Sequence, residues 1–295
     1  MKNLPPKAQG LIAINIAAVI FGSAALYGKL DLSPFWITSA RAGFGALTLL
    51  ALGLWKNDAG FPPRQCWKII FLTGILLAVH WSSFFESVQI AGVAVATLTF
   101  ATFPLFTVLI EAVHKRRRPY FQEIGATLAI ILAVSLLVNP QNSKSSFIGA
   151  LAGLTSAITY AWFWHASKPL IEELSPIRVS LYQNAVTALI LVPFLPFAAP
   201  MASHSMDWLW LALLGIVNTA LMLQLYLYAL QRISHSICSG FVALEPVYAI
   251  VLAAAFFHEP ITLWVALSGA LIIGASFTLH AAEEGQAHRA GHPLS

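Results

Sequence analysis

Six polar side chains stand out within long apolar stretches of this sequence, where aliphatic and aromatic residues otherwise dominate. They are Arg41, His80, Glu86, Asn218, Gln224 and Glu245. If those stretches cross a bilayer, an Arg, Lys or Asp at a helix centre costs about 2.5–3.5 kcal/mol on insertion scales. Polar groups kept at such a cost mark the path of a solute or ion, so these six are candidate pathway residues.

Arg41 and Glu245 offer opposite charges for binding a zwitterion. The Arg41 guanidinium can hold a carboxylate in a forked geometry. Glu245 precedes Pro246, and a proline distorts a helix by removing a backbone donor and freeing a carbonyl one turn earlier. A carboxylate there can bind a proton or a substrate ammonium. The structural alternatives are that Glu245 is a hydrogen-bonded internal acid and that Arg41 pairs with Glu245 or Glu86.

The other polar candidates carry weaker signals. His80 is deep enough in its segment to line a cavity, and histidine titrates near neutral pH. Glu86 lies closer to a segment end, where it can simply face water. Asn218 and Gln224 can hydrogen-bond a solute, although amides also join neighbouring helices.

Aromatic side chains near segment ends usually form belts at the membrane interface. That interpretation covers Trp36 and Trp81, and it competes with a pathway role for Tyr182. Trp162 and Trp164 lie deeper in their segment. An aromatic wall there would suit an amino acid or an aromatic solute, so Trp162, Trp164 and Tyr182 join the candidate pathway residues.

Catalytic chemistry has no comparable support. No nucleophile constellation or zinc spacing is convincing, and Cys66 and Cys238 are too few and too differently placed for a disulfide. The stretch FGSAALYGKL at 21–30 lacks the spacing and the Ser or Thr of a phosphate loop. We therefore expect no catalytic residue, metal, cofactor or nucleic-acid partner, and no coupling to nucleotide hydrolysis.

Composition places the chain in a lipid bilayer. Of its 295 residues, 58% are hydrophobic and 9% are charged, and the mean hydropathy is +0.77. A soluble domain carries about a quarter charged residues. A membrane helix needs roughly 20 apolar residues. Ten continuously apolar segments satisfy this: 9–28, 34–55, 67–88, 91–113, 119–138, 147–168, 176–197, 207–230, 235–257 and 261–281.

The distribution of basic residues predicts the orientation. Cytoplasmic loops are enriched in Lys and Arg. With the N-terminus inside, nearly all of the 16 lysines and arginines are cytoplasmic, and only Lys29 and Lys144 are periplasmic. Lys2 and Lys7 precede the first apolar run, but no cleavage site follows it, so we interpret that run as a membrane helix rather than a signal peptide. Both termini are then cytoplasmic.

An internal repeat divides the chain. Three pairs of identical residues recur at an offset of 142 residues: Pro34 with Pro176, Gln89 with Gln231, and Pro104 with Pro246. Pro104 and Pro246 lie inside apolar segments, so we expect both to distort their helices. Each half has five segments, and because five is odd the second half enters the membrane from the opposite side. The sequence thus predicts an all-α integral membrane protein of two inverted repeats, 1–140 and 141–282, with a disordered cytoplasmic tail at 283–295. Inverted repeats are a hallmark of alternating-access transporters.

The sequence resembles the drug/metabolite transporter superfamily, EamA type. The resemblance rests on LEPVYAIVLAAAFFHEPITLWVALSGALII at 244–273, on FPLFTVLIEAVHKRRRPYFQEIGATLAI at 103–130, and on FGSAALYGKL followed by Ser33-Pro34 and Arg41. Arg117 stands where the family often has Glu. The resemblance implies a bacterial inner-membrane carrier, in which helices one to four of each half surround the pathway and helices five and ten lie outside.

The function expected is secondary or facilitated transport of a small metabolite, with export of amino acids or related metabolites preferred. Import of a small metabolite or vitamin is the alternative. An intramembrane enzyme and a structural membrane subunit are less favoured. Proton coupling through His80 or Glu245, and a homodimer contact through segments five and ten, are left open.

Overall fold

A computed structural model describes residues 5–117, 120–137, 143–242 and 244–289, and these residues form helices and connecting loops without a strand. Seven of the helices are long and apolar enough to cross a membrane. Three shorter apolar helices overlap predicted segments: Phe103–His114 the segment 91–113, Phe121–Leu137 the segment 119–138, and Leu263–Thr278 the segment 261–281. The chain is therefore an all-helical, multi-span membrane protein. The predicted repeat boundary at 140/141 lies outside the described residues.

Twelve α-helices occur in the described residues. They are α1 (Pro6–Ser23), α2 (Pro34–Trp55), α3 (Trp67–Phe100), α4 (Phe103–His114), α5 (Phe121–Leu137), α6 (Ser143–Glu173), α7 (Pro176–Leu191), α8 (Ser205–Gly215), α9 (Met222–Leu230), α10 (His235–Val242), α11 (Glu245–Phe257) and α12 (Leu263–Arg289). Short 3₁₀ helices follow α1 (Ala24–Lys29) and α7 (Val192–Phe197), and another precedes α3 (Arg64–Cys66). A π-helical turn, Ile216–Leu221, joins α8 to α9.

Among the boundaries that differ from the sequence prediction, two bear on the later sections. The break expected at 89–90 falls instead at Gly92, whose φ of 87° and ψ of 169° are non-helical. The last helix continues to Arg289, so residues 283–289 are helical rather than disordered. They include Glu283, Glu284 and Ala287, and such residues have high intrinsic helix propensity. Residues 290–295 of the predicted tail lie outside the described residues.

Helix interruptions recur at the offset of 142 residues. The α3 helix ends at Phe100 and α4 begins at Phe103, while α10 ends at Val242 and α11 begins at Glu245. Pro104 and Pro246 are the second residues of α4 and α11. A proline is tolerated in the first turn because its missing N–H would have no helical partner there. Both helices are thus interrupted at the two prolines predicted to distort them.

Contacts between loops recur at the same offset. Ser33 caps α2 and its backbone N–H donates to the Pro200 carbonyl at 2.9 Å. Ser175 caps α7 and its Oγ donates to Asp58 Oδ2 at 2.5 Å. Residues 175 and 200 lie 142 positions after 33 and 58. The contact of Ser33 with Pro200 and the contact of Ser175 with Asp58 therefore join equivalent positions, with the roles of the two halves exchanged.

The helices have two ends, which we name for residues that join them. The Glu259 end holds the end of α1, the start of α2, Gly92 and the end of α11. The Asp58 end holds the end of α2, the start of α3, the end of α6 and the start of α7, where Arg178 donates to the carbonyls of Gly60 and Phe61 at 3.0 and 2.8 Å.

Two groups of helices flank α2 and α7. The first bundle comprises α1, α8, α9 and α11, joined by hydrogen bonds from Tyr228 OH to Gln9 Oε1 at 2.6 Å and from Tyr248 OH to Asn15 Oδ1 at 3.4 Å. The second bundle comprises α3, α4 and α6, in which Ser87 Oγ donates to the Gly149 carbonyl at 2.7 Å. A side chain at Gly149 would collide with Ala91, so this glycine lets α6 approach α3 closely.

Gly92 adopts a backbone conformation that only glycine takes readily, and Gly92→Ala is expected to destabilise the protein. The strained region near its φ of 87° and ψ of 169° costs a residue with Cβ about 1–3 kcal/mol. Thermal unfolding in detergent measures this loss. Gly43→Ala is the matched control, because a Cβ there meets nothing within 4 Å and alanine favours a helix. Equal melting of the Gly92 and Gly43 variants would contradict the prediction.

Candidate functional site: a buried charge pair at the helix interruptions

Arg41 is buried in the interior and contacts the π-helical turn and α3. Its side chain is 4% exposed. Nε donates to Thr219 Oγ1 at 3.3 Å, and Nη2 donates to the Asn218 carbonyl at 3.5 Å. The ring of Trp81 covers the face of the guanidinium, with 4.1 Å from Cζ to the ring centroid. An arginine presents five N–H donors, so the Nη1 edge is left available for another acceptor.

Glu245 is equally buried, at 7% exposure, and begins α11. Its backbone lies against α1, since a Cβ on Gly22 would come within 3.0 Å of the Glu245 carbonyl. Among the described residues, no hydrogen bond to its carboxylate is formed. Its oxygens are also not among the fully enclosed polar atoms that lack a partner, which are Trp36 Nε1, Asn184 Oδ1, Asn218 Oδ1 and Gln224 Nε2. The Glu245 carboxylate therefore borders an accessible space.

Arg41 and Glu245 interact electrostatically in the interior without forming an ion-pair contact. Their charges interact, yet the pair is absent from the ion pairs within 4.0 Å that described residues form. Two buried charges that do not touch recover little of their desolvation penalty, which amounts to several kcal/mol per ion. Tyr160, on α6, interacts electrostatically with both charges. A solute carrying a carboxylate and an ammonium could bridge the gap.

His80 and a wall of aromatic rings line the second-bundle side of this site. His80 Nδ1 is 2.7 Å from Ser156 Oγ, and its ring centroid is 4.6 Å from that of Tyr160. Phe100 and Phe103 stack on each other and both contact Tyr160, with centroid distances of 5.2 and 5.1 Å. Because Ser156 occupies Nδ1, Nε2 is the ring nitrogen of His80 that can serve a solute or a proton.

Asn218 lies in the π-helical turn and joins it to the irregular end of α1. Its Nδ2 donates to Ser23 Oγ at 2.9 Å and to the Ile20 carbonyl, which α1 leaves available where it changes to a 3₁₀ helix. π-Helical turns often occur at functional sites. The π turn, the end of α1 and the start of α11 meet around Arg41 and Glu245, so several interrupted helices converge on the charge pair.

The remaining predicted pathway residues lie away from this cluster. Glu86 is exposed on α3, and Trp162 is 48% exposed and packs on His165. Tyr182 donates to the Gly60 carbonyl at 3.2 Å near the Asp58 end, and Gln224 accepts from Lys56 there at 3.0 Å.

Trp164 is intermediate in placement. It is 44% exposed and contacts Tyr160 edge-on at 6.1 Å, which places it at the margin of the site. Glu111 and Lys115 form a separate ion pair at 2.6 Å near the end of α4.

Three residues of the site were missed from sequence. Trp81 was assigned to an interfacial belt, but it lies next to His80 and is buried against Arg41. Thr219 follows Asn218 directly. Tyr160 is one helical turn from both Ser156 and Trp164, so the i, i+4 spacing on α6 was a usable signal. A polar or aromatic residue next to a candidate pathway residue, in sequence or one helical turn away, therefore also indicates the site.

The profile of the EamA-like transporter family matches residues 8–139 and again residues 147–280, which together span most of the chain. The chain belongs to the EamA-like transporter family. This EamA-like protein is therefore a transporter rather than an enzyme.

Individual relatives agree with this family assignment. "Uncharacterized transporter YxxF" of Bacillus subtilis (strain 168) is 25% identical over 85% of this chain and 82% of its own. "Probable terminal-alkyne amino-acid exporter" of Streptantibioticus cattleyicolor is 24% identical over 67% of each chain. A solved crystal structure of 18% identity superposes with a TM-score of 0.64 over 94% of this chain and 98% of that chain. The last likeness concerns the fold alone.

Proposed function

We propose that this EamA-like transporter exports an amino acid or a related zwitterionic metabolite across the bacterial inner membrane. The observation that carries the proposal is the buried pair Arg41 and Glu245, whose charges interact without an ion-pair contact. A carboxylate on the free edge of Arg41 and an ammonium at Glu245 would replace the water that both groups lose. The name of the S. cattleyicolor relative supports this class of solute and the outward direction.

Alternating access between two inverted halves is the proposed mechanism. Its supports are the helix interruptions and loop contacts that recur at the offset of 142 residues, and the double match of the family profile. We place repeats at 1–140 and 141–282 and both termini in the cytoplasm. The Glu259 end then faces outward and the Asp58 end inward, because the basic residues concentrate at the latter.

Glu245 is the proposed site of proton coupling. It is a carboxylate without a hydrogen-bond partner among the described residues, and intramembrane carboxylates of this kind form proton relays in transporters. Proton binding would remove the charge that holds an ammonium, so the two events exclude each other at one group. His80, whose Nε2 has no hydrogen-bond partner among the described residues, is the second candidate.

The test is a flux screen in proteoliposomes. Purified protein is reconstituted and assayed with amino acids, nucleosides and vitamins, with and without a pH gradient. We expect flux of at least one zwitterionic amino acid, saturating with concentration and dependent on the gradient. Protein-free liposomes supply the background. Intact, monodisperse protein that moves none of these solutes would overturn the proposal, and flux of a vitamin alone would favour import of that class instead.

A further inference from the structure

Glu259 ties three chain segments together at the Glu259 end. It follows α11 in the first bundle, and its carboxylate forms an ion pair with Lys29 at the end of the 3₁₀ helix after α1. The same carboxylate accepts the backbone N–H of Val93 in the second bundle, at 3.1 Å to Oε2 and 3.3 Å to Oε1. Lys29 and Glu259 are 27% and 19% exposed, so water screens the pair only in part.

Gly92 is what gives Glu259 access to this amide. Its non-helical backbone interrupts α3 directly before Val93, so the Val93 N–H points to Glu259 and not to a helical carbonyl. A Cβ at Gly92 would come within 3.2 Å of Glu259 Oε1. Both the positive φ and the close carboxylate therefore require glycine here.

The contacts beside Glu259 also close the space between the bundles. Gly28, after α1, packs so tightly on α3 that a Cβ there would lie 2.7 Å from Val88 Cγ1. Gln89 Nε2 donates to the Leu32 carbonyl at 2.7 Å. Val88 is fully buried by this packing. At the Asp58 end, by contrast, hydrogen bonds between described residues stay within one bundle or involve α2 and α7, as from Cys66 Sγ to Glu173 Oε2 at 3.2 Å.

The position related to Glu259 by the offset of 142 residues is Arg117, a basic residue in place of an acidic one. Arg117 forms a two-point ion pair with Glu123, at 2.9 and 2.7 Å, so the tie there joins the ends of α4 and α5 within one half. The two ends of the molecule therefore differ, although their helices are related.

We propose that the Lys29–Glu259–Val93 contact is a latch that holds the Glu259 end closed, and that it must break whenever the transport site opens toward that end. Closure brings the Glu259 carboxylate to an amide of the opposite bundle, and Lys29 holds the carboxylate in place. Opening separates Gly28 from Val88 and exposes Val88.

Cysteine labelling tests the latch without a substrate. Val88→Cys is introduced into a Cys66→Ser, Cys238→Ala background, and its reaction with a membrane-impermeant maleimide is followed in intact cells and in inside-out vesicles. We expect slow labelling with the latch intact. Lys29→Met and Glu259→Ala should each speed labelling by about tenfold, the scale of one charged hydrogen bond. Glu259→Gln should lie between, because its amide oxygen still accepts from Val93.

Asp31→Asn is the matched control, since it removes an exposed carboxylate of the same loop region outside the latch. It should leave labelling unchanged. Rapid labelling with the latch intact, or equal rates in all variants of normal melting temperature, would overturn the latch. Faster labelling of the latch variants only in inside-out vesicles would support the latch and contradict the proposed orientation. Because the labelling assay needs no solute, failure to find a transported solute would contradict the proposed function without changing this result.

Discussion

Arg41→Lys should lower the affinity for a zwitterionic amino acid by about 10- to 100-fold, because one hydrogen bond to a charged group contributes about 1.5–3 kcal/mol. Lysine keeps the charge but has a single nitrogen. It cannot contact Thr219, the Asn218 carbonyl and a carboxylate from one plane while Trp81 covers its face. Concentration dependence of flux in proteoliposomes measures the effect, which should appear chiefly in the apparent KM.

Arg178→Lys is the matched control for Arg41. Arg178 also donates through a guanidinium, but to the loop carbonyls of Gly60 and Phe61 at the Asp58 end. The same substitution there should leave the apparent KM unchanged. A decarboxylated analogue of the solute gives a second check, since its weaker binding should be insensitive to Arg41→Lys. An unchanged KM for the amino acid in the Arg41 variant would rule out carboxylate binding by this residue.

Glu245→Gln should abolish accumulation driven by a pH gradient while sparing exchange of solute between two equal pools. Glutamine preserves the shape but carries no titrating proton, so the driving force has no group on which to act. We expect gradient-driven uptake to fall by about tenfold or more. Removing a proton-transferring side chain from an enzyme lowers its rate by a comparable or larger factor. Exchange needs no net proton movement, so part of it should survive.

Glu111→Gln controls for the loss of a carboxylate. Glu111 pairs with Lys115 at 2.6 Å near the end of α4, outside the central site. Its variant should keep both gradient-driven uptake and exchange. Gradient-driven accumulation by Glu245→Gln at the normal rate would show that protons are carried elsewhere, and His80→Asn would then be the variant to assay.

Most of the fold could be predicted from three features of the sequence: the length of the apolar runs, the prolines between them and the offset of 142 residues. Those features place helix starts at Pro34 and Pro176 to the residue. They do not place the break at Gly92, because a glycine within an apolar run is compatible with a helix until its backbone is seen. They also miss the π turn at 216–221, which depends on packing against α1 and α2 rather than on composition.

The site was only half predictable for a related reason. Arg41, His80, Asn218 and Glu245 stood out because a polar group in an apolar run is costly, and the structure brings these four together. Glu86 and Gln224 carried the same signal but face the surface or a loop partner. Sequence alone gives a residue's depth along its helix, whereas its direction around the helix depends on which neighbours pack against it.

The exchanged loop contacts have a consequence for biosynthesis. The backbone N–H of Ser33, the cap of α2, donates to the Pro200 carbonyl, and Asp58 accepts a hydrogen bond from Ser175. A nascent chain that has delivered its first five segments to the bilayer therefore lacks both partners. Translation must pass residue 175 before the Asp58 loop can reach its final form, and residue 200 before the Ser33 loop can. The first half must therefore persist in the bilayer, unfinished, while the ribosome makes its counterpart.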